Sequence, residues 1–107
     1  MISVQSIANL IELSKQCAEE CRACALYCSD KMNMQDCMVL CNEAADNCEM
    51  VVSESTLNSE ILELCADACL VCAEECETHN NIHCESCAAA CRNFEETLRV
   101  AIKSEEN

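Results

Sequence analysis

An all-α fold is predicted for this 107-residue chain: an antiparallel up-down-up-down four-helix bundle with a cysteine-lined core in one half. Three observations predict it. The chain contains no glycine and no proline, so it lacks the residues on which the tight hairpin turns of β-structure depend. Apolar residues and cysteine together make up 51% of it, which drives burial and excludes a disordered chain. Its fourteen cysteines recur at helical spacing. The length suits a single domain, 1–107.

The cysteines form four groups: Cys17, Cys21, Cys24 and Cys28; Cys37, Cys41 and Cys48; Cys65, Cys69, Cys72 and Cys76; Cys84, Cys87 and Cys91. The first and third share a 4-3-4 spacing at an offset of 48. At an offset of 50, Cys37 and Cys41 match Cys87 and Cys91, and Met34 stands opposite Cys84. The chain is therefore read as two helix-hairpin repeats, about 1–54 and 55–107. Residues three and four apart share one helix face, so each group is a seam.

The first helix is expected near 3–30, its seam running back from Cys17 through Leu13, Leu10 and Ile7. Ser29, Asp30, Lys31, Met32 and Asn33 break the pattern, and Asn33 with Asp36 three residues on suits a helix N-cap. A second helix follows near 34–54, and Ser53, Glu54, Ser55 and Thr56 separate it from a third near 57–78. After Glu77, Thr78, His79, Asn80 and Asn81 comes a fourth near 81–103, continued past Cys91 by Phe94, Leu98 and Ile102. Short connections make neighbouring helices antiparallel. All fourteen cysteines then share one half of the bundle, and Ile7, Leu10, Leu13, Val51, Val52, Ile61, Leu62, Phe94, Leu98 and Ile102 fill the other. Off-seam Leu26, Tyr27, Val39, Leu40, Leu70 and Val71 either widen the core or form a subunit contact.

Fourteen thiols are poor packing material where leucine or alanine would serve. Cβ atoms three or four apart on a helix lie about 5–6 Å apart, too far for the roughly 3.8 Å of a disulfide. The N-terminus has no basic segment, continuous apolar run or small-residue cleavage site, so a cytoplasmic location is expected. Thiols stay reduced there, and a dense set points to metal. A Cys-x-x-x-Cys pair on one helix face spans about the 4–5 Å of two metal–sulfur bonds laid end to end. Soft thiolates at low coordination number select Cu(I). Tetrahedral zinc sites would each carry about −2 into the core, and the chain has only six Lys and Arg. Iron–sulfur clusters favour looped spacings. A metallothionein-like Zn/Cd buffer and a thiol redox sensor are the alternatives.

The formal charge of −14 excludes nucleic-acid binding through a basic surface, and no segment reaches the roughly 20 apolar residues of a membrane span. No catalytic constellation or phosphate-cradling loop is present, so an enzyme is not expected.

One stretch resembles a known family. The residues Glu63, Leu64, Cys65, Ala66, Asp67, Ala68, Cys69, Leu70, Val71, Cys72, Ala73, Glu74, Glu75 and Cys76, then His79, His83, Cys84, Cys87, Cys91 and Arg92, are similar to the cytosolic copper storage proteins of bacteria. The resemblance spans nearly the whole chain. It implies a four-helix bundle filled by many Cu(I) ions, storage or detoxification of cuprous copper, and a homotetramer. Other members carry more cysteines, so capacity is expected on the order of a dozen Cu(I) per chain, roughly one per thiolate. The connections beside the thiol half carry Met32, Met34, His79 and His83. Of these, His83, Met34 and His79 are the candidates for a weaker-binding rim through which copper passes, and Met38 is expected to pack. The acidic helix faces keep the protein soluble and offer a surface to a basic copper chaperone, which nothing in the spacing requires.

Overall fold

A computed structural model describes residues 4–53 and 57–106. Helix α1 (Val4–Cys28) is followed by a 3-10 turn (Met32–Met34), then α2 (Gln35–Ser53), α3 (Ser59–Cys76) and α4 (Ile82–Glu106). Helix α1 packs on α2 and α4, and α3 packs on the same two, which makes a square four-helix bundle. It measures 44 × 21 × 19 Å, and its long dimension is close to the roughly 37 Å of a 25-residue helix. Residue 3, expected to open the first helix, and the expected break at 54–56 lie outside the described residues. No described helix is long and apolar enough to cross a membrane.

The chain turns without glycine because every described turn keeps φ negative and finds other donors for the carbonyls at the helix ends. At the end of α1, the Ser29 and Lys31 amides donate to Leu26 and Cys28. Lys31 Nζ donates to the Tyr27 carbonyl at 2.9 Å. The Gln35 amide reaches back to the carbonyls of Lys31, Ser29 and Cys28 at 2.9, 3.3 and 3.4 Å. That arrangement replaces the expected cap: Asn33 sits inside the 3-10 turn, and the helix starts at Gln35. The starts of α3 and α4 are capped by asparagine. Asn58 Oδ1 accepts from the Ile61 amide at 3.0 Å, and Asn81 Oδ1 accepts from the Cys84 amide at 2.9 Å.

The core runs the length of the bundle and changes character part-way. Leu10, Val51, Leu62, Phe94, Leu98 and Ile102 are buried at the end away from the α1–α2 and α3–α4 connections. Ile7, Leu13, Val52 and Ile61 are half-buried at its margin. The seam of α1 passes through Ser14 rather than Leu13, because strict alternation of four and three back from Cys17 lands on 14 and then 10. Ser14 is fully buried and donates its hydroxyl to the Cys48 carbonyl, which offsets the cost of an otherwise unpaired buried hydroxyl. Leu26, Val39 and Val71 face outward and do not widen the core. Tyr27 and Met38 pack against it from its edge.

Candidate metal centre

Every cysteine is a buried free thiol, and each but Cys17, at 1%, is completely shielded from solvent. The reason is geometric. Four cysteine seams, one from each helix, converge on the bundle axis, and those of α1 and α3 carry the full 4-3-4 spacing. Buried alanines flank them at 18, 25, 44, 45, 66, 73 and 88, and their small side chains let the backbones approach until the sulfurs nearly touch.

The sulfurs form a continuous file. At the end nearest the connections, Cys24, Cys37, Cys76 and Cys84 make one group, all within 4.8 Å of one another. Cys24–Cys84 is 3.6 Å, Cys37–Cys76 is 3.7 Å and Cys37–Cys84 is 4.0 Å. Cys24 and Cys76 also belong to the next group, with Cys41 and Cys87. Cys87 is in turn a member of a third, with Cys21, Cys72 and Cys91, where Cys21–Cys91 is 3.5 Å. Cys91 lies 3.8 Å from Cys17, which groups with Cys48 and Cys69. Cys65 ends the file, 3.8 Å from Cys48. Cys28 adjoins Cys37 at the opposite end. Beyond Cys65 stand Ser14 and the hydrocarbon core, so the file is closed on that side.

The pairing differs from the sequence expectation in one respect. Cys37–Cys41 at 3.9 Å and Cys72–Cys76 at 4.0 Å are Cys-x-x-x-Cys pairs on one helix. Most other short separations cross between helices. Inward-pointing side chains converge on the axis, so a sulfur meets the opposite helix as closely as its own next turn. Each of the four groups draws thiols from both helical hairpins.

The interior holds no counter-charge among the described residues. Arg22 pairs with Asp46 and Glu49, Arg92 with Glu77, and Arg99 with Asp67 and Glu95, all on the outer surface. Burial therefore pushes the thiols of Cys28, Cys37 and Cys84 upward, Cys84 to about 12. At these three positions, nearest the connections, burial favours the neutral thiol.

The rim candidates are not in the close sulfur groups. His79 lies beside the α3 terminus, its Nε2 2.9 Å from Glu75 Oε2. His83 is exposed and stacks on Tyr27 with ring centroids 4.4 Å apart, while Lys31 Nζ sits 3.9 Å from the Tyr27 ring centroid. Met34 is buried and part of the core cluster, whereas Met32 is 95% exposed. Sequence reasoning missed Asn81, whose Nδ2 donates to the Cys84 sulfur at 3.2 Å. Its signal was an asparagine three residues before a cysteine at a helix start.

The sequence profile of the copper storage protein family matches residues 3–103. The chain belongs to that family. It is 34% identical over 87 residues to the cysteine-rich protein YhjQ of Bacillus subtilis, covering 75% of this chain and 81% of that one. Copper storage protein 3 of Bacillus subtilis, solved in its apo form, superposes with a TM-score of 0.80 at 33% identity, over 89% of this chain and 97% of that one. The Streptomyces lividans copper storage protein Ccsp, loaded with 10 copper equivalents, gives 0.86 at 26% identity, over 95% and 87%. The cytosolic copper storage protein of that organism with five coppers gives 0.84 at 27%, over 92% and 93%. The family's bundle is thus this chain's bundle.

Proposed function

We propose that this protein is a cytoplasmic, high-capacity store for cuprous copper that removes the ion from circulation, with room on the order of a dozen Cu(I) per chain, about one per thiolate. One observation carries the reading: an uninterrupted, solvent-shielded file of fourteen thiols with no interior cation among the described residues. A monovalent ion for each departing proton leaves such a core neutral, whereas a divalent ion held by four thiolates leaves it charged. The Streptomyces lividans relatives, loaded with five and with 10 copper equivalents and in one case described as cytosolic, support the assignment. Because every close group needs both hairpins, the two repeats act as one storage domain. Its role is binding rather than catalysis.

Copper would pass the end of the file at Cys28, Cys37 and Cys84, since hydrocarbon closes the other. Met34, His79 and His83 stand at that end, and a thioether or imidazole there would hold Cu(I) more loosely than a thiolate pair. Exposed Leu26, Leu64, Ile82 and Val100 supply apolar surface for assembly of bundles into the tetramer that the family resemblance implies. The acidic exterior would suit a basic copper chaperone.

A Zn/Cd buffer is favoured by one feature. A tetrahedral ion with bonds of about 2.3 Å holds its sulfurs about 3.8 Å apart, within the range found here. The deciding experiment is an anaerobic titration of reduced protein with Cu(I) against a chelator, run in parallel with Zn(II). Uptake near a dozen Cu(I), withheld from the chelator until the thiols saturate, is the expected result. Saturation at three or four ions with equally tight Zn(II) would make this a divalent-metal buffer, and reversible disulfides in place of metal uptake would mark a redox sensor.

A further inference from the structure

One asparagine at the open end of the sulfur file holds a cysteine by both its backbone and its side chain. Asn81 Oδ1 accepts from the Cys84 amide at 2.9 Å, and Asn81 Nδ2 donates to the Cys84 sulfur at 3.2 Å. A helix cap requires only the first of these. Asn58 illustrates the difference: it caps α3 through the Ile61 amide at 3.0 Å, with no cysteine nearer along the chain than Cys65. The bond to sulfur at Asn81 is therefore additional to folding chemistry.

Its consequence follows from donor direction. With the Asn81 N–H on one side and the Cys24 S–H donating to it from 3.6 Å on another, the Cys84 sulfur accepts twice, and its own S–H points elsewhere, toward Cys37 at 4.0 Å. When the proton leaves, the same N–H becomes a charge-assisted bond to a thiolate. Cys84 belongs to the group nearest the connections, and its counterpart in the first repeat is Met34, which has no proton to exchange.

We propose that Asn81 is a positioning residue for copper transfer, holding the Cys84 sulfur ready to exchange its proton for Cu(I) and so setting the rate of uptake without adding to capacity. The inference rests on the copper-store reading. In the exchange the sulfur lone pair forms the S–Cu bond, the S–H bond breaks heterolytically, and the proton goes to solvent or to the ligand that delivered the ion. Nothing is oxidised or reduced.

The test is anaerobic stopped-flow uptake from a Cu(I)–chelator complex, comparing Asn81→Asp, Asn81→Ser and Asn58→Asp with the unaltered protein. Asp and Ser both keep an oxygen for the cap, and neither places an N–H on the sulfur. Both Asn81 variants should load at least about tenfold more slowly, the factor expected for one lost hydrogen bond to a charged group. Total capacity should be unchanged, and Asn58→Asp should load normally. Uptake by the Asn81 variants at the normal rate overturns the proposal, and so does equal slowing by Asn58→Asp, which would reduce the effect to helix fraying. Should the Asn81 variants fail to fold, the side-chain amide of Asn81 is read by NMR in the unaltered protein. A hydrogen-bonded proton that moves on copper loading supports the proposal, and one that stays at the free-amide position throughout overturns it. Failure of the store reading itself shows separately, as a low copper count in the unaltered protein.

Discussion

Removing one sulfur from the middle of the file and one from its closed end should cost different amounts of metal. The middle variant is Cys87→Ala. Its sulfur lies 3.7 Å from Cys21, 3.7 Å from Cys72 and 3.9 Å from Cys41, and it belongs to two close groups. The end variant is Cys65→Ala, whose sulfur lies 3.8 Å from Cys48 and belongs to none of those groups. With thiolates bridging ions in a near one-to-one ratio, deleting the shared sulfur removes a bond from each of about two Cu(I), and deleting the end sulfur affects about one at most. Loss of one buried atom costs about 1 kcal/mol in either case, small against the 5–15 kcal/mol typical of a domain, so both variants should stay folded. The assay is anaerobic titration against a chromophoric Cu(I) chelator, with metal counted per chain. Capacity should fall by about two ions for Cys87→Ala and by about one or none for Cys65→Ala. Equal losses at the two positions would refute the shared-thiolate arrangement.

Phe94→Ala, just beyond the last thiol of α4, should destabilise the apo protein by about 3–5 kcal/mol and lower Tm by about 20 °C, while the folded variant keeps full capacity. A lost capacity with an unchanged melting curve would place the ring in the store instead. Alkaline pH should weaken the apo fold. Burial raises Cys84 from its ordinary 9.0 to about 12, so the native state keeps a proton that the unfolded chain gives up, and that share of stability is complete below pH 9 and lost on the way to pH 12. Denaturant midpoints that stay flat over that range would contradict this. Changing Met34 and His83 together to alanine should slow uptake with little loss of capacity, and a large drop would place them among the storage ligands.

Much of this architecture was legible because the cysteine seams obey the arithmetic of a helix face. The three- and four-residue spacings placed each helix's thiols on one face, and the antiparallel run of neighbouring helices set which cysteines lie level, as with Cys17 and Cys48 in one close group. What was not legible depended on partners from elsewhere in the chain. Asn33 has the composition of a cap, yet Gln35 closes the end of α1 and leaves no place for one. Leu13 looks like the seam residue by hydrophobicity, but register puts Ser14 there, with a hydrogen bond to a carbonyl 34 positions away. The cross-helix sulfur pairs arise from convergence on the axis, which spacing along one helix does not report. The stack of His83 on Tyr27 joins α4 to α1, and no local pattern announces it.

The closed end of the file bears on timing. The sulfurs are packed within 4.8 Å of one another in each group, walled by four helices, with Ser14 and Phe94 buried beyond them. Ions that move along the file would have to keep their order of arrival, because nothing of atomic size can overtake. The last ion admitted would be the first one a recipient could withdraw, and the deepest would leave only after its neighbours had gone. Such a reservoir would behave as a stack, with a readily exchanged fraction near its mouth and a slow reserve beneath.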